Sequence, residues 1–305
     1  MPWRRRVIAI ELHRRLLLLC VLLVLPLSFA CNGADGLIAF YTNRNGNPDI
    51  YTVHADGTGL RQLTTDPASD MAPAISPDGS RIAFVSDRSG DREIYTMEVD
   101  GTDLQRLTHS PGYESHLDWS PDGERILFIS ERDGNREIYH MKRDGTNVTR
   151  VTDRPEVDER PDWSPDGEWI AFCSRQAEEP YNLFLIRPDG TDLRQITNAP
   201  VTEHTPQWSP DGSWLLYTRH PGIWPQQRLY LIRPDGSESH PVSRTLGMGE
   251  NGSWSPDGAQ IVFHSWRLGQ MDICVVEQDG SSPRWLTDDP DGNYWPSWGP
   301  ISEDG

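Results

Sequence analysis

An all-β fold, a six-bladed β-propeller of four-stranded blades, is what this sequence predicts, on three observations. "SPDG" recurs at Ser76, Ser120, Ser164, Ser209 and Ser255, with spacings of 44, 44, 45 and 46 residues. Asp-Gly followed by Thr or Ser recurs at Asp56, Asp100, Asp144, Asp189, Asp235 and Asp279. The first repeat begins at "LIAFYT" (Leu37–Thr42) with no "WSPDG" before it, and "NYWPSWGP" at the far end supplies the missing piece and stops. A period of this length, built from short strands, indicates one repeat per blade. The C-terminal strand is expected to complete blade 1 and leave no open edge.

Each element of a repeat has a local cause. In blade 3, "HLDW" reads as strand A, and "SPDG" as the turn after it: Pro121 fixes φ and Gly123 tolerates positive φ. "RILFIS" and "EIYHMK" are apolar enough to be strands B and C packed between neighbouring blades. Asp144-Gly145 makes the next hairpin turn, and "VTRVT" is strand D. The repeat tryptophans, Trp119, Trp163, Trp208, Trp254 and Trp298, stand in register with the turn and are expected in the inter-blade core. Trp169, Trp214 and Trp285 are expected on outer strand faces.

The propeller occupies residues 37–300, with a tail at 301–305, a linker at 31–36 and an export leader at 1–30. Arg4, Arg5, Arg6, Arg14 and Arg15 precede an apolar run from Leu16 to Leu27. That run is shorter than the ~20 residues a spanning helix needs, so a cleaved signal is the better reading. Ser28 and Ala30 suit ordinary signal peptidase, while Cys31 immediately after makes the segment resemble a lipoprotein signal with an acylated cysteine. Either way the expectation is an exported protein, periplasmic or extracellular, touching membrane only through such an anchor.

The chain has 28 Lys and Arg against 46 Asp and Glu. Removing the leader takes away five Arg and one Glu and leaves a net charge of −22. So acidic a surface argues against a nucleic-acid partner, which needs a basic face, and suits a soluble domain outside the cytoplasmic membrane, expected as a monomer. Cys173 and Cys274 sit in apolar strands of different repeats and read as buried thiols rather than a disulfide.

With "WSPDG", "SDRSGDREIY" and the D-G-T turns in view, the sequence resembles the TolB-type, WD-repeat-like propeller family from Leu37 to Pro300. The resemblance is specific for fold. TolB itself carries an additional α/β domain before its propeller, and here only residues 31–36 separate the leader from the first strand. Relatives also occur fused to serine peptidase domains, but no G-x-S-x-G elbow is present.

The resemblance implies that D–A and B–C loops share one face and that strand A lines the channel. Five positions before the strand-A Trp (or Ile75) stand Asp70, Glu114, Asp158, Glu203, Gly249 and Asn293, with Glu159 and Glu250 one place on. An acidic collar at one channel mouth is therefore predicted, able to hold a divalent cation or a basic peptide tail. The competing and favoured reading pairs each acid with a recurring Arg: Arg44, Arg88, Arg132, Arg175, Arg219 or Arg267. His116 and His204 lie near the same mouth and are candidates for a mixed metal site, one histidine short of the set used by propeller polysaccharide lyases that resemble this family.

The B–C loops depart from the repeat in blades 4–6, bringing Tyr181, Trp224 and Trp266 to the rim beside Tyr294 and Trp295. An aromatic sector there suits a protein, peptide or glycan, and the competing reading packs these rings over the loop bases. No catalytic constellation emerges. The expectation is a non-enzymatic scaffold for a protein or peptide partner; the alternative is a carbohydrate-active propeller, glycan-binding or metal-assisted lyase.

Overall fold

The computed structural model describes residues 36–222, 226–242 and 249–302. The leader, Cys31 and Trp224 lie outside them. Six sheets of four antiparallel strands form the ring, each ordered A-B-C-D from the axis outward. Strand A is Asn293–Gly299, Asp70–Ile75, Glu114–Trp119, Val157–Trp163, Thr202–Trp208 and Glu250–Trp254 in blades 1 to 6. Blade 1 is closed as expected: the C-terminal strand pairs with Leu37–Thr42, Trp298 facing Ile38 and Asn293 facing Thr42.

The "SPDG" turn closes itself with side chains. Ser76 Oγ donates to Asp78 Oδ1 at 2.6 Å and accepts from Arg81 N at 2.9 Å, while Gly79, at φ 70°, donates its N–H to Ser76 O. Only glycine holds that left-handed conformation without strain.

Strand D is shorter than predicted, two residues in every blade. The physical reason lies in the next two positions. After Thr149–Arg150, Val151 turns into the core and Thr152 Oγ accepts the N–H of Ile138 at 3.0 Å, ending the ladder from the side. Thr64, Thr108, Thr197 and Thr287 do the same to Ile50, Ile94, Leu183 and Ile273.

The core lies between blades. Between blades 2 and 3, Ala74, Ile94 and Leu107 meet Trp119, Phe128 and Tyr139. Trp119 Nε1 donates to the carbonyl of Ala74 in the preceding blade at 3.1 Å. Trp119, Trp163, Trp254 and Trp298 are buried as expected; Trp208 packs against the core but is only partly buried. Cys173 and Cys274 are free and buried. Trp169, Trp214 and Trp285 are partly buried against core clusters, and the first two are clamped by guanidinium groups, with Arg187 and Arg194 at 4.0 and 4.3 Å over Trp169 and Arg233 at 3.7 Å over Trp214.

Candidate functional site

Strand A is irregular in every blade, with a register shift in the pairing to strand B. Three positions before the repeat Trp, or before Ile75 in blade 2, the chain takes a left-handed conformation: φ is 50° at Ala72, 51° at His116, 56° at Arg160, 53° at Thr205, 49° at Asn251 and 53° at Trp295. Such bulges re-aim a side chain. Here six of them line the axis of the ring. The sequence carried a signal for this that its repeat pattern overshadowed: a proline follows in four blades, at Pro73, Pro161, Pro206 and Pro296, and proline inside a strand marks a bulge.

At this level the blades meet across the axis. Arg160 Nη1 donates to Asn251 Oδ1 at 3.0 Å, and its guanidinium lies 5.2 Å from the ring of Trp295. The His116 ring stands edge-on to Trp295 at 5.6 Å, and Trp295 N donates to His264 Nδ1 at 3.3 Å. Tyr41 and Tyr294 stack behind, 5.4 Å apart. A cavity of about 460 Å³ runs from this cluster to the A–B turns, where Pro77, Pro121, Pro210 and Pro256 line its mouth.

The collar is a set of buried, paired carboxylates rather than an open field. Asp70, Glu114 and Asp158 are fully buried (0% exposed) and Glu203 nearly so, and none of them lines the cavity. Arg88 holds Asp70 with two bonds, at 2.9 and 2.8 Å, and Arg132 holds Glu114. Arg219 lies 3.5 Å from Glu203, and Arg44 reaches Asn293 and Asp289. In blade 4 the partner is not Arg175 but Arg154, at 2.7 Å from Asp158; Arg175 lies instead over Tyr181. Arg136 takes Glu159. A carboxylate so far from water is tolerated only when paired, which is why the collar is a ring of ion pairs rather than an exposed field. Burial pushes Glu114 up to about 7 despite Arg132, and raises Asp158 against the pull of Arg154.

Blade 6 has no acid at Gly249. Glu250, one place on, lies 3.8 Å from His264 Nε2. Burial works to raise its pKa, and the opposing pull of His264, His204 and Arg160 leaves it lowered. Burial and Arg160 keep His116 and His204 neutral, His204 down at about 3. No group of three His, Cys, Asp or Glu side chains is placed to share a metal ion among the described residues.

The aromatic sector is divided. Tyr294 and Trp295 belong to the axial cluster, and Tyr181 is half-buried beneath Arg175. Trp266 stays on the rim, 40% exposed, on a hairpin that runs at least two residues longer in each strand than its counterparts: Gln260–Arg267 and Gln270–Glu277. Leu268 at its tip is 88% exposed.

A family model for the TolB beta propeller domain matches residues 28–116 and 69–248, well over half of the chain. The chain belongs to the TolB β-propeller family. A TolB homolog of Chlorobium luteolum is 44% identical over 45 residues, 15% of this chain and a tenth of that protein's length. TolB from Acinetobacter baumannii superimposes with a TM-score of 0.78 at 20% identity, over 87% of this chain and 67% of that one. A TolB-like protein of Agrobacterium tumefaciens gives 0.68 at 19%, over 88% and 99%. An oligogalacturonate lyase solved in complex with manganese shares the fold at 0.58 and 17%, over 81% and 73%.

Within this TolB-type ring, two acids missed at the sequence level stand on the cavity wall one place before the repeat Trp. Asp118 Oδ2 accepts the N–H of Trp163, and Asp162 Oδ2 that of Trp208, both at 2.7 Å, each stitching one strand A to the next. Ser253 and Ser297 do the same for Trp298 and Ile75. Burial pushes Asp118 up to about 7, and burial with repulsion from Asp118 drives Asp162 well above its usual range. Chemically the axis therefore offers a guanidinium, a neutral imidazole and an indole at one level, and two reluctant carboxylic acids nearer the A–B turns.

Proposed function

We propose that this propeller is a non-enzymatic scaffold of the cell envelope that presents its B–C loop face to a protein or peptide partner. The observation that carries the reading is the elongated hairpin of blade 6. Trp266 and Leu268 are exposed on it, while the acids and arginines of the same face are largely consumed by pairing with one another. An apolar anchor rimmed by polar groups is the usual form of a docking hot spot. Membership of the TolB family supports an envelope location, as does the charged, apolar, small-residue order of residues 1–30. Whether Cys31 is acylated decides if the scaffold is tethered.

Affinity capture from envelope extracts tests this. Wild-type protein is expected to retain a defined partner, and Trp266→Ala/Leu268→Ser to lose most of it with an unchanged melting temperature. Equal recovery by the variant removes the hairpin from the interface. The carbohydrate reading would instead give capture of an oligosaccharide and no protein.

A further inference from the structure

The axial cavity ends on a guanidinium that the fold has left without an acid. Around the rim, Arg88, Arg132, Arg154 and Arg219 each lie within 4.0 Å of a carboxylate, while Arg175 and Arg267 rest on Tyr181 and Trp285. Arg160, at the waist, forms no such pair among the described residues; it gives one N–H to Asn251 Oδ1 and leans on the face of Trp295. Glu250, which shares this neighbourhood, lies 3.8 Å from His264 Nε2 and feels the field of Arg160 without reaching it as an ion pair. A guanidinium carries five donors, so most of the fork of Arg160 is uncommitted.

A second group points the same way. Nε2 of His116 is buried and has no hydrogen-bond partner, although the side chain lines the same cavity. Its Nδ1 lies 2.8 Å from Ser115 Oγ. Whichever way the proton lies between Ser115 and the neutral ring, Nε2 is left without a partner. A buried polar atom left unpaired costs about 1–3 kcal/mol, so such orphans mark places where a ligand or water belongs.

We propose that Arg160, His116, Asn251 and Trp295 form a binding site for a carboxylate that enters the cavity from the A–B turn face. A planar guanidinium fork matches a carboxylate with two parallel bonds, and its geometry is set here by Asn251 and by the indole it rests on. The neutral His116 ring, from a neighbouring blade, lines the same wall. Trp295 is the apolar wall for the carbon skeleton behind the acid group. The cavity, about 460 Å³, is of the size that holds a small ligand or the end of a chain. Asp118 and Asp162 on the wall are acids whose charged forms burial disfavours, which weakens their repulsion of such a guest.

The site is independent of the rim hairpin, and its failure would leave the reading of the B–C face untouched. Two sources share its chemistry, the C-terminus of a peptide and a free organic or sugar acid. The test follows the Trp295 indole N–H by NMR in the full chain, assigned through Trp295→Phe, at constant ionic strength. Acetate is expected to give a saturable shift and acetamide none. Arg160→Gln should weaken acetate about tenfold or more, the loss expected for charge-assisted bonds, and Arg160→Lys, which keeps the charge without the fork, should fall between. N-acetylalanine binding more tightly than a hexuronate assigns the site to peptide ends, and the reverse to sugar acids. Equal shifts from acetate and acetamide overturn the proposal, as does wild-type affinity in a folded Arg160→Gln variant. If that variant does not fold, the acid-against-amide comparison in the wild type decides alone.

Discussion

Asp118 and Asp162 show how one residue can serve closure and resist it at once. Each accepts a backbone N–H from the next blade, a bond that neutral and ionised acid can both make, yet each is held where ionisation is penalised. A folded-state pKa of about 7 for Asp118, above the usual 3.8, contributes stability that is complete below about pH 4 and is lost as pH rises through 7. Asp162, raised well above its usual range, extends the loss upward. Melting temperature should therefore fall between pH 5 and 8. Asp118→Asn keeps an acceptor for Trp163 and cannot ionise, so it is expected to flatten that profile and to be more stable than wild type at pH 8 by about 1–3 kcal/mol. A variant less stable than wild type at pH 8 would show that the ionised carboxylate is the better stitch. Neither acid stood out in the sequence. Both follow the same rule as the serines at 253 and 297, and nothing local distinguishes a carboxylate facing a blade from one facing water.

At the scale of the element, the informative strand is A. Its left-handed position is filled by six different residues, none of them glycine, each at a backbone cost of about 1–2 kcal/mol that its side chain offsets to a different degree. Ala72 contributes least, having only a methyl group. Ala72→Gly is expected to raise stability by about 0.5–1 kcal/mol, relief of strain exceeding the entropy glycine adds to the unfolded chain. The same change at Arg160 should not help, since it removes the contacts with Asn251 and Trp295. Denaturant melts of the two variants check this, and a destabilised Ala72→Gly would mean that the bulge is unstrained. Strand D illustrates the reverse case. "VTRVT" was legible as a strand, but its threonine spends its hydroxyl on the neighbouring strand's backbone and ends the ladder early.

For the whole molecule, closure is carried by one strand. Asn293–Gly299 completes blade 1, buries Trp298 against Ile38 and Val262, and receives a bond from Ile75 N in blade 2. A chain ending at Asp291 would expose the edge of Leu37–Thr42 and the flank of two blades. It is expected to lose its cooperative thermal transition and to associate, as open edges do. A peptide of residues 292–302 added in trans should restore part of the transition. A truncated chain that melts like the full one, by circular dichroism and size-exclusion chromatography, would refute the role given to closure.

What the sequence determined by itself is the ring: six blades, their register, and the manner of closing. Each of these rests on turn chemistry within five or six residues, Ser-Pro-Asp-Gly and Asp-Gly-Thr, repeated at a fixed period. The ion pairs were half visible for the same reason, since Arg88 with Asp70 and Arg132 with Glu114 repeat together. Blade 4, where Arg154 displaces Arg175, was not. Only the tertiary structure decided that the acids are buried, that the cavity faces the A–B turns, and that Arg160 meets Asn251, 91 residues away, and Trp295 across the axis. Those contacts join residues with no common motif, and the curvature that brings them together belongs to the closed ring rather than to any one repeat.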